Sequence, residues 1–142
     1  GRGDGSFATE VRYPVGQYPI RVDKGDFNGD GNEDVAVSNM DSNNVSVLLG
    51  NGDGTLNVAV NYPTLGSGLR GLAAKDVNGD GKVDLVAANN ASNEVSVLLG
   101  VGDGTFGTAV KYAVSGNPQG VVVEDLNGDG KQDVATANNG GH

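Results

Sequence analysis

The sequence contains no cysteine and no tryptophan, and its one histidine is the last residue, His142. The absence of cysteine excludes disulfides, zinc–thiolate sites and thiol nucleophiles. With chemistry based on histidine, cysteine or zinc nearly excluded, we expect a protein that is not an enzyme.

Basic residues are also scarce, since 9 Lys and Arg stand against 18 Asp and Glu, for a formal charge of −9. Nucleic acids and anionic membranes are bound by clustered positive charge, so we expect neither as a partner. No apolar run approaches the roughly 18 residues that cross a bilayer, so we expect no membrane insertion.

Glycine, in contrast, is abundant, with 25 residues that recur in fixed surroundings. The segment Asp-x-Asn-Gly-Asp-Gly begins at Asp26, Asp76 and Asp125. A second marker, Gly-x-Gly-Asp-Gly followed by Ser or Thr, begins at Gly1, Gly50 and Gly100, and a tyrosine recurs at Tyr13, Tyr62 and Tyr112. The chain therefore consists of repeats of about 50 residues. Their spacing differs by one residue, and we place that difference in the stretch Pro63–Gly68, because a loop absorbs an insertion and a core strand does not.

Each repeat predicts four short strands, because its segments are rich in β-branched residues, are bounded by turn residues and lack a helical apolar period. The second and third strands are apolar at nearly every position, which predicts burial on both faces. Stacked sheets of this kind are typical of an all-β propeller of four-stranded antiparallel blades, whereas a sandwich would show cleaner alternation and no such repeat. The predicted strands are Pro19–Gly25, Leu69–Lys75 and Pro118–Glu124 (first); Asp34–Ser38, Asp84–Ala88 and Asp133–Ala137 (second); Val45–Leu49 and Val95–Leu99 (third); Phe7–Tyr13, Leu56–Tyr62 and Phe106–Tyr112 (fourth).

The repeat boundaries predict a single propeller segment over residues 1–142. Residues 1–18 would supply the outer strand of a preceding blade, 19–68 and 69–117 two blades, and 118–142 a partial blade. Three repeats do not close a ring, and open sheet edges invite pairing with another chain. We therefore expect the other part of a longer propeller or further copies of the same chain as partners, and we favour the longer propeller.

The Asp-rich loop between the first and second strands has the pattern Asp-x-Asn-x-Asp-Gly-x-x-Asp. Alternate spacing in a tight turn directs side-chain oxygens toward one centre, and oxygen donors without nitrogen or sulfur favour Ca²⁺. An EF-hand is excluded, because its twelfth position requires glutamate and this chain has Val37, Ala87 and Thr136 there. We predict up to three calcium sites. Their ligands are Asp26, Asn28, Asp30, Asp34 and the carbonyl of Asn32; Asp76, Asn78, Asp80, Asp84 and the carbonyl of Lys82; and Asp125, Asn127, Asp129, Asp133 and the carbonyl of Lys131.

The alternative for these loops is a turn that binds no ion, because Asp, Asn and Gly favour turns by themselves. Three copies with all nine aspartates placed alike favour the calcium hypothesis over that alternative.

The repeats resemble FG-GAP repeats of the VCBS type, which are related to the blades of the integrin α-subunit propeller. The Asp-rich loops and the Gly-Asp-Gly-Thr-Phe turn of Gly102–Phe106 carry this resemblance, which covers essentially the whole chain. It implies calcium in the loop that joins the first two strands, propellers of about seven blades, and an extracellular or cell-surface location. It also implies a structural or binding role in adhesion or ligand recognition. The alternatives within that resemblance are a self-assembling lectin or adhesin that binds glycans, and a non-catalytic part of a secreted enzyme.

Three further features favour ordinary structural explanations. Arg2-Gly3-Asp4 spells an integrin-recognition tripeptide, but it aligns with the hairpin turns at Asn51-Gly52-Asp53 and Val101-Gly102-Asp103. The recurring tyrosines favour packing over a ligand platform, because they occupy equivalent positions. The acidic residues outside the loops do not repeat as a pair suited to glycoside hydrolysis, and we expect them to be solvated: Asp23, Glu33, Asp41, Glu94 and Glu124.

Overall fold

A computed structural model describes residues 1–140 and contains ten β-strands, with no helix among these residues. The first sheet has the order β1 (Pro19–Gly25), β2 (Asp34–Asn39), β3 (Asn44–Leu48) and β4 (Val60–Pro63). The second repeats it with β5 (Leu69–Lys75), β6 (Asp84–Asn89), β7 (Glu94–Leu98) and β8 (Val110–Ala113). A third sheet pairs β9 (Pro118–Glu124) with β10 (Asp133–Asn138). Every pairing is antiparallel, which confirms the predicted all-β class and its four-stranded blades. None of residues 1–140 lies in a helix long and apolar enough to span a bilayer.

The fourth strands are shorter than predicted. Regular pairing in β4 starts at Val60 and in β8 at Val110, whereas Leu56 and Phe106 make only single bridges, to Gly50 and Gly100. The tight Gly-Asp-Gly turn lies just before these bridges, and the chain resumes a continuous ladder only four residues later. Residues 7–13, predicted as a fourth strand, carry no strand in this structure, because no third strand lies beside them to pair with.

The core lies between the first and second blades. Phe27, Val45 and Val47 of the first blade pack against Leu85, Leu98 and Phe106 of the second, and all six are at least nine-tenths buried. The ring of Phe106 meets Phe27 and Tyr62 edge to face, with centroids 5.5 and 5.3 Å apart. Strands β2, β3, β6 and β7 are buried along most of their length, as the continuous apolar pattern predicted.

Side-chain hydrogen bonds hold the segments that link successive blades, and one further bond crosses from the first blade to the second. The side-chain carbonyl of Asn43 accepts the amide of Gly68 at 2.8 Å, and that of Asn93 accepts the amide of Asn117 at 2.6 Å. The hydroxyl of Tyr62 reaches the carbonyl of Gly104 at 3.4 Å, next to the ring of Phe106. These contacts give Tyr62 a packing role between blades.

The extra residue of the longer repeat is accommodated in the loop Pro63–Gly68, as predicted. Within this loop Leu65 is exposed and has a positive φ of 60°. A left-handed conformation at a leucine is unfavourable by about 1–3 kcal/mol. It lets the loop carry one more residue while β4 and β5 keep the register of their counterparts, β8 and β9.

We expect the aromatic contact at Phe27 to stabilise the pair of blades strongly. Phe27→Ala removes a ring that is 2 % exposed, and such a deletion costs about 3–5 kcal/mol in unfolding free energy. Leu126→Ala is the matched control, because Leu126 occupies the equivalent position in the third repeat and is 62 % exposed; its effect should stay within about 0.5 kcal/mol. Equal shifts of the two variants in urea unfolding would contradict the stacking described here.

Candidate metal centres

The three Asp-rich loops occupy the same end of the blades, each between a first and a second strand. The pairs Gly25–Asp34, Lys75–Asp84 and Glu124–Asp133 close them. Because the closing pair ends with the ninth residue of the motif, the preceding eight positions form the turn itself. The predicted ligands therefore come together by local folding, in three copies.

The first aspartate of each motif organises its loop. In the first copy one oxygen of Asp26 accepts the amides of Gly29 at 2.8 Å and Asp30 at 3.2 Å, and the other accepts the amide of Gly31 at 2.9 Å. The same three bonds recur around Asp76 and Asp125, at 2.7–3.3 Å. Gly31 has a φ of 83°, a conformation that glycine adopts without strain and that turns its amide toward Asp26.

The third and fifth positions continue the same turn. The Oδ1 atom of Asn28 accepts the amide of Asp30 at 3.0 Å, and Oδ1 of Asp30 accepts the amide of Asn32 at 2.7 Å. The other two copies repeat these bonds at 2.9 Å. The fifth-position aspartates are exposed, so their carboxylates are open to an ion from solvent.

The ninth-position aspartate has a second contact that the sequence did not reveal. Asp34 is fully buried, and its two oxygens accept the amides of Phe27 at 2.8 Å and Gly50 at 2.7 Å. Asp84 binds the amides of Val77 and Gly100 in the same way, at 3.0 and 2.8 Å. Each carboxylate therefore ties its loop to the hairpin turn that follows the third strand.

The glycine that opens each Gly-x-Gly-Asp-Gly turn is the sequence feature that could have indicated this contact. A Cβ at Gly50 would lie 2.3 Å from the carbonyl oxygen of Glu33, and one at Gly100 would lie 2.3 Å from that of Val83. Only glycine brings the turn close enough for its amide to reach the buried carboxylate.

The third copy of the motif lacks half of this arrangement. Asp133 is only partly buried and accepts the amide of Leu126 at 3.1 Å. No hairpin turn follows a third strand there within residues 1–140, so the second oxygen of Asp133 has no amide corresponding to Gly50 or Gly100.

The seventh-position side chains lie against the neighbouring hairpin turns. The side chain of Asn32 contacts Gly52, and the aliphatic part of Lys82 contacts Gly102. The main-chain carbonyls of Asn32, Lys82 and Lys131, proposed above as ligands at this position, stay a prediction.

The loops are strongly acidic sites. The amide of Asn32 lowers the pKa of Asp30, and the amides of Gly81 and Gly130 lower the pKa of Asp76 and Asp125. Burial raises the pKa of Asp84, and the charges of Asp80 and Asp76 add to that rise. A cation in the loop would offset this repulsion.

The donor chemistry of the loops fits a hard cation. Positions one, three, five and nine offer only carboxylate and amide oxygens, and an oxygen that accepts one amide retains a lone pair for a metal. Among residues 1–140, however, no three acidic or histidine side chains converge into a preformed metal cluster.

The other acidic residues considered above are engaged separately. Asp23 accepts the amide of Ala74 at 2.9 Å, and Glu33 pairs with Lys24 at 2.8 Å. Glu94 pairs with Lys111 and Glu124 with Lys75, at 3.0 and 2.7 Å, while Asp41 is exposed.

The Arg2-Gly3-Asp4 segment has the geometry of the other hairpin turns. Asp4 accepts the amide of Ser6 at 2.9 Å, as Asp53 and Asp103 accept the amides of Thr55 and Thr105 at 2.9 Å. This agreement supports the interpretation of the tripeptide as a turn.

We expect the two hydrogen bonds that Asp34 accepts, from the amides of Phe27 and Gly50, to stabilise the fold in the absence of a bound ion. In Asp34→Asn one oxygen becomes an NH₂ group facing a backbone amide, and leaving a buried donor unsatisfied costs about 1–3 kcal/mol. Asp133→Asn should lower the free energy of unfolding clearly less, because Asp133 has a single amide partner and is partly exposed. Urea unfolding in the presence of a chelator compares the two, and an equal loss would show that the second bond, to Gly50, does not stabilise the fold.

A family model for the FG-GAP-like repeat matches residues 26–87 and again residues 76–136. Each match begins at the first aspartate of a loop and extends through the loop of the next repeat. No curated protein matches the chain.

Proposed function

The chain belongs to the FG-GAP-like repeat family, and from that premise we propose that it is a calcium-binding propeller module with a structural and binding role outside the cell. The observation that carries this proposal is the threefold recurrence of one loop geometry. In each copy the first aspartate accepts three backbone amides, and carboxylate and amide oxygens surround the same turn.

Calcium is the ion that this donor set suits best. It accepts six to eight oxygen ligands at flexible distances, whereas Mg²⁺ requires tighter octahedral geometry. Residues at positions one, three, five and nine, with the carbonyl at position seven, would hold it. The bound ion supplies positive charge. Three ions of charge +2 would change the formal charge from −9 to −3.

The proposed extracellular location rests on the resemblance to FG-GAP propellers of extracellular proteins. Oxygen-ligand sites in extracellular modules typically have dissociation constants of about 10⁻⁴–10⁻³ M, which suit the calcium concentration outside cells. We therefore propose that the module works in a secreted or surface-attached protein, where calcium holds the loops and the blades present a surface for adhesion or ligand recognition.

We propose no catalytic role. The chain has no cysteine and one histidine at its last position, and its recurring carboxylates bond backbone amides within the turns. A pair of carboxylates suited to acid–base chemistry would have to come from residues such as Glu33 and Glu94, which are paired with different lysines.

Calorimetric titration with Ca²⁺ tests the sites directly. We expect the wild-type chain to bind up to three ions at millimolar concentrations, with a melting temperature that rises with calcium and with little response to Mg²⁺. Asp80→Ala should remove one site and reduce that rise, because it deletes the exposed carboxylate of the second loop.

Asp41→Ala is the matched control, since Asp41 is exposed and lies outside the motif. It should retain the wild-type stoichiometry. Absence of heat at millimolar calcium would reject the proposal, and identical titrations of the two variants would reject the assignment of Asp80.

A further inference from the structure

Five asparagines of the chain are followed directly by glycine: Asn28, Asn51, Asn78, Asn127 and Asn139. In such a pair the amide nitrogen of the glycine can attack the side-chain carbonyl carbon of the asparagine, because glycine has no Cβ to obstruct the approach. Asparagine is therefore a labile residue wherever this attack is sterically free. The first four pairs lie well inside residues 1–140, and they differ in how the two reacting groups are held.

The three pairs in the Asp-rich loops are held at both reacting groups. The glycine amide donates to the first aspartate of the motif, from Gly29 to Asp26 at 2.8 Å and at 2.7 Å in the other two copies. The Oδ1 atom of the asparagine accepts the amide of the fifth-position aspartate, at 2.9–3.0 Å in all three copies. Attack of the nitrogen on the carbonyl carbon therefore requires both hydrogen bonds to break.

The pair Asn51–Gly52 lies in the hairpin turn that follows the third strand, and it lacks both restraints. Among residues 1–140, no group accepts a hydrogen bond from the amide of Gly52, and none donates to Oδ1 of Asn51. The Asn51 side chain makes one hydrogen bond, from Nδ2 to the hydroxyl of Thr55 at 2.8 Å. That bond leaves the carbonyl side of the amide group and the neighbouring nitrogen free to react.

Exposure to solvent does not distinguish the two kinds of pair. Asn78 and Asn127 are exposed like Asn51, so water reaches all three. The equivalent turn of the second blade packs against the first blade, and there too no residue among 1–140 accepts the amide of Gly102. Val101, which stands where the first turn has Asn51, is 51 % exposed in that packed turn. The free amide is therefore a property of the turn itself.

We propose that Asn51 is a site of spontaneous deamidation, and that the first aspartate of each Asp-rich loop protects the adjoining Asn–Gly pair from the same reaction. Hydroxide takes the proton of the Gly52 amide, and the nitrogen forms a bond with Cγ of Asn51. The bond from Cγ to Nδ2 breaks, and Nδ2 leaves as ammonia with a proton from water. Water then opens the succinimide ring at either carbonyl, which gives aspartate or isoaspartate. Calcium takes no part in this reaction.

The isoaspartate product would disturb the turn more than the aspartate product. It adds one methylene group to the main chain between residues 51 and 52, where space is short, since a Cβ at Gly52 would lie 2.5 Å from Oδ1 of Asn32. The amide of Gly50, just before this point, donates to the buried Asp34 at 2.7 Å. A longer main chain would therefore push the turn away from the Asp-rich loop, whereas aspartate keeps the original length.

Tandem mass spectrometry tests the proposal on the 142-residue chain, incubated in mildly alkaline buffer with a chelator. Trypsin leaves Asn28 and Asn51 in one peptide, residues 25–70, so their fragment ions compare the two sites within one molecule. Because a hydrogen bond to a carboxylate must break before attack in the loops, we expect Asn51 to deamidate about tenfold faster than Asn28, Asn78 and Asn127. An equal or slower rate at Asn51 would overturn the proposal.

Val101→Asn places the same Asn–Gly pair in the turn of the second blade. It should deamidate at a rate similar to that of Asn51, because the amide of Gly102 is also without an acceptor among residues 1–140. Val101→Gln is the matched control, since it carries the same amide group one methylene farther from the main chain, and it should stay intact. A stable asparagine in the Val101→Asn variant would contradict the assignment of the reactivity to the turn.

Asp125→Ala tests the protection in the third loop. It removes the acceptor of the Gly128 amide, so Asn127 should deamidate about tenfold faster than in the wild type. Asn28 and Asn78 keep their aspartates and are internal controls whose rates should not change. An unchanged rate at Asn127 would overturn the protective role of the aspartate. A rise at all three sites would also overturn it, because general opening of the chain would then control the reaction.

Discussion

The bond between a buried carboxylate and two distant backbone amides is the constraint on which each complete blade depends. Asp34 joins the start of its own loop to Gly50, sixteen residues later, and Asp84 does the same with Gly100. A buried charge is tolerated only when hydrogen bonds replace water. These hydrogen bonds therefore hold the loop against the following hairpin, which packs against the previous blade.

That constraint connects the candidate metal centres to the stacking of the blades. The carbonyl of Phe27, inside the first loop, accepts the amide of Gly104 from the next blade, and the Phe27 ring meets that of Phe106 edge to face. A change in the conformation of one loop would therefore alter the surface on which the hairpin of the next blade packs. If calcium occupies the loop as we propose, it acts on blade stacking as well as on local order.

Much of the fold was predictable because the repeats combine local signals with burial. The first strands Pro19–Gly25 and Leu69–Lys75 occur at the predicted residues, since the Asp-rich loop ends them sharply. The contact of Asp34 with Gly50 was not predictable from the motif, because it depends on tertiary packing of segments far apart in the chain. The predicted strand at Phe7–Tyr13 depends equally on a partner, since a strand forms only where a neighbour completes its ladder. The predicted ligands lie around their turns, but the inward orientation of the ninth-position carboxylate comes from burial and not from spacing.

The strained conformation of Leu65 shows that the two ends of a blade differ in their tolerance of length. At the end with the Asp-rich loops, a carboxylate and a tightly packed glycine fix the number of residues, so an insertion would break the tie to the hairpin. At the opposite end, the loop Pro63–Gly68 holds one residue more than its counterparts while the flanking strands keep their register. In this chain the one difference in repeat length is thus taken up at the end of the blades opposite the Asp-rich loops, where the strands keep their pairing.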